Sequence, residues 1–148
     1  EKANPAFRGP VDGEVENAYL PHNYTSPHCV VYTGTHDNET TRAWWHSCDE
    51  KIKHQVRSYC SISGDEEQIC WDLIRLAFSS TASLAIIPMQ DLLSLGSDAR
   101  MNTPSSPAGN WKWRIRGEAL NHEISHRLRT VALTFGRIPS QQDSQSRT

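Results

Sequence analysis

Only two stretches of this 148-residue chain read as strands, and helical patterns lie between them. Cys29-Val30-Val31-Tyr32-Thr33 is β-branched and aromatic, bounded by Pro27 and Gly34. Leu84-Ala85-Ile86-Ile87-Pro88-Met89 is the second run, ending in Gln90-Asp91. Strands joined through helices imply a parallel pair with a crossover. Two parallel strands alone cannot cover both faces or hide their edges. The pattern therefore predicts part of a larger α/β domain.

The helical patterns are specific in their details. Thr40 or Thr41 is placed to cap a helix whose apolar positions recur at 44/45, 48, 52, 56 and 59/60. Residues 61–64 break it. Asp65 is expected to cap a second helix, with Glu66 and Glu67 in its first turn and an apolar stripe through Ile69, Cys70, Leu73, Ile74, Ala77 and Phe78. Residues 1–28 hold four prolines and no periodicity, so an irregular segment is expected there. Residues 94–117 carry Gly, Ser, Pro and Asn and predict a long loop, ordered by its tryptophans and arginines. A third helix follows, with Leu120, Ile124, Leu128, Val131 and Phe135 on one face and Gly136 as its stop. The reading is one body over 1–138 and a polar tail over 139–148.

Composition narrows the function classes. Fifteen basic and seventeen acidic residues leave a formal charge of −2, with a pI near 6.4. That balance argues against a nucleic-acid groove or an anionic membrane surface as partner. Mean hydropathy is −0.62, and no apolar run approaches the ~20 residues of a membrane span. Glu1 to Pro10 is charged and proline-bearing, so no signal peptide is expected in this chain. Four cysteines at 29, 48, 60 and 70 form no CxxC pair; free thiols in a reducing compartment are expected. The sequons Asn23-Tyr24-Thr25 and Asn38-Glu39-Thr40 are accordingly read as unmodified.

Three patterns carry possible chemistry. Gly34-Thr35-His36-Asp37-Asn38-Glu39-Thr40 stands at the C-terminal end of the first strand, the edge where parallel α/β folds place their sites. A carboxylate beside an imidazole there can bind hydroxyls or serve acid/base work. Equally, Asp37 can simply order the turn through an Asx bond. His122-Glu123-Ile124-Ser125-His126 matches the HExxH zinc pattern. Zinc needs a third ligand, but position 129 is Arg, position 132 is Ala and no Glu follows residue 123. No metal is expected. The stretch from Arg100 to Arg114 offers amide and guanidinium donors with Trp111 and Trp113, as a ligand-facing loop or as a cover over a core.

Four segments together resemble the 4-α-glucanotransferases, also called amylomaltases or disproportionating enzymes (glycoside hydrolase family 77). They are Glu16-Asn17-Ala18-Tyr19-Leu20-Pro21-His22-Asn23-Tyr24, then residues 31–45 from Val31 to Trp45, then Ala85-Ile86-Ile87-Pro88-Met89-Gln90-Asp91. The last is Arg100-Met101-Asn102-Thr103-Pro104 with Gly109-Asn110-Trp111-Lys112-Trp113-Arg114. The match covers roughly residues 14–138, and its flavour is closer to plastid-type enzymes; residues 1–13 do not resemble the family.

The resemblance implies the C-terminal portion of a (β/α)₈ barrel, with residues 29–35 as its seventh strand and 83–89 as its eighth. It implies retaining transfer of α-1,4-glucan segments between maltooligosaccharides or starch-type glucans, without a cofactor, in the cytoplasm or plastid stroma. Such chemistry needs a nucleophile and an acid/base carboxylate. By the same resemblance these lie on earlier strands outside these residues, so the chain alone is expected to be inactive. Asp37 matches the family's third carboxylate, the transition-state stabiliser. His36, Asn38, Asn102 and Pro104 match sugar contacts. Ser105 stands where many members have Gly. A non-catalytic remnant that binds glucan or a partner is the alternative.

Overall fold

The computed structural model describes residues 17–139. They fall into two units, one up to Arg114 and one from Ile115 onward. In the first unit, β1 (Val30–Tyr32) pairs with β2 (Leu84–Ile86) in parallel, with Val30, Val31 and Tyr32 opposite Leu84, Ala85 and Ile86. Between them run α1 (Thr41–Ser47), α2 (Glu50–Cys60) and α3 (Ile69–Ser79), and α4 (Met89–Leu92) follows β2. The expected parallel pair with a helical crossover is present.

Side chains alternate across a strand, and the sheet shows it. Val31 is buried with Ala77 and Ala82, with Ala85 packed against them. Val30, Tyr32, Leu84 and Ile86 share the other face and are each about half exposed. The main core lies on the helical side. Trp44, Trp45, Val56, Ile69, Cys70 and Leu73 form one cluster. Full burial of Ile69 and Ile74 contributes roughly 1.5–3 kcal/mol each.

Two helix boundaries differ from expectation. The periodicity over 44–60 is continuous, yet the helix breaks at Cys48, which is extended. Asp49 then caps α2, its Oδ1 accepting from the Ile52 amide at 2.8 Å. After the break, Trp44 and Trp45 of α1 and Val56 of α2 still enter one cluster with Ile69, Cys70 and Leu73 of α3. Asp65 does organise the entry to α3, but α3 begins at Ile69. The Asp65 side chain accepts from the Glu67 amide, and its carbonyl accepts from Gln68 and Ile69. The two glutamates sit in this lead-in turn, where Glu66 reaches Arg42 and His46 instead. Thr40 caps α1 as expected, accepting from the Ala43 amide. Pro88, read as part of the second strand, caps α4 instead.

All four cysteines are free thiols. Burial pushes the Cys70 thiol up to about 12, with the neighbouring Asp91 carboxylate adding to it. Burial likewise raises Cys48 and Cys60 to about 11. They are packing residues, not nucleophiles.

The second unit is α5 (His122–Thr134), entered by a 3-10 turn at Gly117–Ala119. Asn121 caps α5 by accepting from the Ile124 amide. At its end the Gly136 amide donates to the Leu133 carbonyl and the Arg137 amide to the Ala132 carbonyl. With Gly136 at φ +64° this is a Schellman stop, at the glycine the sequence indicates. The expected stripe is only half-buried, and Leu120 is exposed. Apart from Pro139, the tail over 139–148 lies outside the described residues, as do residues 1–16. No helix among the described residues is long and apolar enough to cross a membrane.

Candidate functional site

The C-terminal end of β1 delivers the chain into a tight turn. The Asn38 amide donates to the Thr35 carbonyl at 3.1 Å. Asn38 Oδ1 in return accepts from the Thr35 amide at 2.8 Å and the Thr35 hydroxyl at 2.9 Å. The turn-ordering role open to Asp37 is thus carried by Asn38. That leaves the Asp37 carboxylate for other work.

Asp37 is met by a residue far along the chain. Asn102 Nδ2 donates to Asp37 Oδ1 at 2.6 Å, and the Asn102 amide donates to the His36 carbonyl at 3.1 Å. His36 Nε2 lies 3.3 Å from the same Asp37 oxygen. Both side chains are about half exposed, so the pair is anchored yet open to a ligand. Asp37 Oδ2 carries no hydrogen bond among the described residues.

Arg100 fastens the two loops to each other. Its guanidinium donates to Glu39 Oε2 at 3.2 Å, to the Asp37 carbonyl at 3.0 Å and, through Nε, to the Asn102 carbonyl at 2.9 Å. Arg100 and Glu39 side chains are about one-fifth exposed, so solvent screens this pair less than a surface pair. Glu39 Oε1 also accepts from the Thr40 amide. In sequence Arg100 reads only as a donor, and Glu39 as one more residue of the turn after β1.

The loop beyond Asn102 returns aromatic surface to the site. The Trp111 amide donates to the Met101 carbonyl at 2.7 Å, and the indole lies 5.0 Å from the His36 ring. Trp111 is more than half exposed and holds φ +62°, a left-handed conformation costing roughly 1–2 kcal/mol for a side-chain-bearing residue. Strain of this kind gathers at functional sites. Pro104 sits at the exposed tip of a turn closed by Ser106 donating to Thr103. Asn110 fills the loop, accepting from the Thr103 amide and donating to the Ser106 carbonyl. A cleft of about 400 Å³ runs between Tyr32, His36, Ile86, Gln90, Arg100 and Trp111; Asp37 is not among its lining residues. Four expected site residues therefore converge: His36, Asp37, Asn38 and Asn102.

His122 and His126 stack one turn apart on α5 at 6.1 Å. No group of three or more metal-ligating side chains gathers among the described residues.

The family model for glycoside hydrolase family 77, 4-alpha-glucanotransferase, matches residues 7–121. The chain belongs to this family. Over 129 residues it is 49% identical to the chloroplastic/amyloplastic 4-alpha-glucanotransferase of Arabidopsis thaliana, covering 85% of this chain and 22% of that protein. It is 47% identical over 126 residues to the 4-alpha-glucanotransferase of a Synechocystis species, covering 85% and 25%. The solved amylomaltase of Streptococcus agalactiae, in complex with acarbose, is similar in structure with a TM-score of 0.75. Sequence identity there is 31%, covering 80% of this chain and 24% of that one. The chain thus spans about a quarter of the length of these family-77 relatives.

Proposed function

We propose that this chain forms part of a retaining 4-α-glucanotransferase that moves α-1,4-glucan segments between maltooligosaccharides. Asp37 stabilises the transition state. The observation that carries this reading is the Asp37 carboxylate at the end of β1, held through one oxygen by Asn102 while the side chain stays half exposed. A carboxylate so placed accepts hydrogen bonds from sugar hydroxyls. Those bonds strengthen as positive charge develops on the ring, so they favour the transition state over the ground state. His36 and Asn102 contact the sugar from the same side. Asn38, its carbonyl oxygen committed to Thr35, contributes its amide nitrogen, and Pro104 borders the approach. Trp111 beside His36 offers a flat apolar surface to a pyranose face.

In this reading β1 and β2 are strands seven and eight of a (β/α)₈ barrel. The half-exposed face of Val30, Tyr32, Leu84 and Ile86 then lines the barrel interior. The nucleophile and acid/base carboxylates come from segments outside these residues, and the chain by itself does not turn over. Names of relatives such as the chloroplastic/amyloplastic enzyme of Arabidopsis thaliana support a plastid stroma or cytoplasmic setting.

A chimera tests this. Residues 17–139 replace the matching segment of the full-length Arabidopsis thaliana relative, and disproportionation of maltotriose is measured. The chimera is expected to be active. Asp37→Asn keeps the shape and removes the charge; kcat should fall about 10²-fold or more, ~3 kcal/mol, with KM little changed. An inactive chimera with normal folding favours a glucan-binding remnant. Near-normal kcat in Asp37→Asn sinks the role of Asp37.

A further inference from the structure

Asp91 is buried, at 2% exposure, and it belongs to α4, not to the loops of the site. Its carboxylate nevertheless reaches both ends of the segment that carries His36 and Asp37. Oδ2 accepts from the Thr33 hydroxyl, one residue beyond β1. The same oxygen accepts from the Thr41 hydroxyl at 2.9 Å, and Oδ1 accepts from the Thr41 amide at 3.0 Å. Thr41 is the first residue of α1.

A carboxylate is an acceptor only, and here three donors meet it. One donor, the Thr41 amide, is a free end of the α1 backbone, where negative charge is favoured by the helix dipole. The span from Thr33 to Thr41 is thereby pinned at both termini by a single side chain. Within that span Asn38 closes the turn on Thr35, and Arg100 holds the Glu39 and Asp37 ends from the far side. The freedom left to Asp37 is set by how firmly the two ends are held.

We propose that Asp91 is a positioning residue for the glucan-transfer site: by clamping Thr33 and Thr41 it sets where the Asp37 carboxylate stands. This rests on the functional reading above. It makes a distinction that burial alone does not. A residue that only supports the fold lowers stability and acts independently of Asp37. A residue that acts through Asp37 lowers kcat, and its effect disappears once Asp37 has lost its charge. Misplacing a catalytic group by about 1 Å is enough to cost on the order of 10²-fold in rate.

The test is a double-mutant cycle in the chimera described above. Asp91→Asn keeps the volume but turns one acceptor into a donor facing two hydroxyls. In the otherwise unchanged chimera it should lower kcat tenfold or more, with KM for maltotriose within twofold. In the Asp37→Asn background it should cost less than a further twofold. Where Asp91→Asn does not fold, the pair Thr33→Val with Thr41→Val takes its place, removing both hydroxyl donors at nearly constant shape. That pair should lower kcat at least fivefold, and again not in the Asp37→Asn background. Unchanged kcat, or a loss that multiplies fully with Asp37→Asn, overturns the proposal. An inactive unmutated chimera overturns the functional reading, and the proposal with it.

Discussion

Asn102 and Asp37 stand 65 positions apart in the chain and meet at 2.6 Å through Nδ2 and Oδ1. The contact holds one carboxylate oxygen and leaves the side chain half exposed. An amide N–H is complementary to a carboxylate oxygen, which only accepts. Replacing that donor by a second acceptor turns an attractive contact into a repulsive one.

Asn102→Asp should therefore be worse than Asn102→Ala. Two acceptors in contact repel, so Asn102→Asp both removes the donor and pushes the Asp37 carboxylate from its place. Asn102→Ala should lose about tenfold in kcat, and Asn102→Asp more than that. Steady-state disproportionation of maltotriose by the chimera and its two variants reads the order; equal losses would show that the donor's removal alone matters.

Ser105 holds φ +65° immediately after Pro104, in the turn closed from Ser106 to Thr103. Proline before a left-handed residue is the pattern of a type II turn, which prefers glycine at the second central position. The path expected for Gly is thus kept, and Ser105 bears the strain. Ser105→Gly should stabilise by up to about 1 kcal/mol, the relieved strain of roughly 1–2 kcal/mol exceeding the added freedom of the unfolded chain. Urea unfolding followed by tryptophan fluorescence measures it.

Gly64 presents the opposite case. It holds φ +76°, and an added Cβ would meet Trp45 Cζ2 at 2.8 Å and Arg57 Nε at 2.7 Å. Arg57 can swing away, but it lies over the Trp45 ring at 5.5 Å, and the indole is core. Gly64→Ala should destabilise by about 2–3 kcal/mol, combining strain and overpacking. Its unfolding midpoint should fall with the slope of the transition unchanged.

The buried thiols predict an alkaline loss of stability. Burial raises Cys70 to about 12 and Cys48 and Cys60 to about 11. Below about pH 8, well under the ordinary thiol value of 9.0, folded and unfolded thiols are both protonated and the full stability is present. As pH rises from there through 11 to 12, the unfolded chain releases protons first and stability falls. Cys70→Ala should flatten part of that slope while lowering stability at pH 7.5. Unfolding midpoints at pH 7.5, 9.5 and 10.5 decide it.

Local signals were legible where a pattern and a stop coincide. The β-branched run at Val30–Tyr32, the stripe of α3 and the Gly136 stop each rest on residues a few positions apart. Thr40 is a short-range cap and was equally readable. The break at Cys48 was not, because the apolar period runs straight across it and only the Asp49 cap marks it. Within the site, His36 and Asp37 follow from their place after β1, and Asn102 from its match to a family segment. Asp91 gave no sign. It reads as one acid between Met89 and Leu92, while its partners Thr33 and Thr41 lie 58 and 50 positions away. Glu39 was hidden in the same way, since its meaning depends on Arg100. Burial of a charged group is a tertiary fact, and no window of sequence contains it.

Val31 and Ala85 face each other in the sheet although more than fifty residues of chain lie between them. Closing that loop costs entropy before the short ladder returns anything. The cluster of Trp44, Trp45, Val56, Ile69, Cys70 and Leu73 is built from residues nearer in sequence, so the helical layer is expected to form first and the strand pair to join later. The loops bearing Asp37 and Asn102 hang from those two strands. Functional geometry in this chain is therefore expected to be a late product of folding, with the tryptophan core assembled before the site.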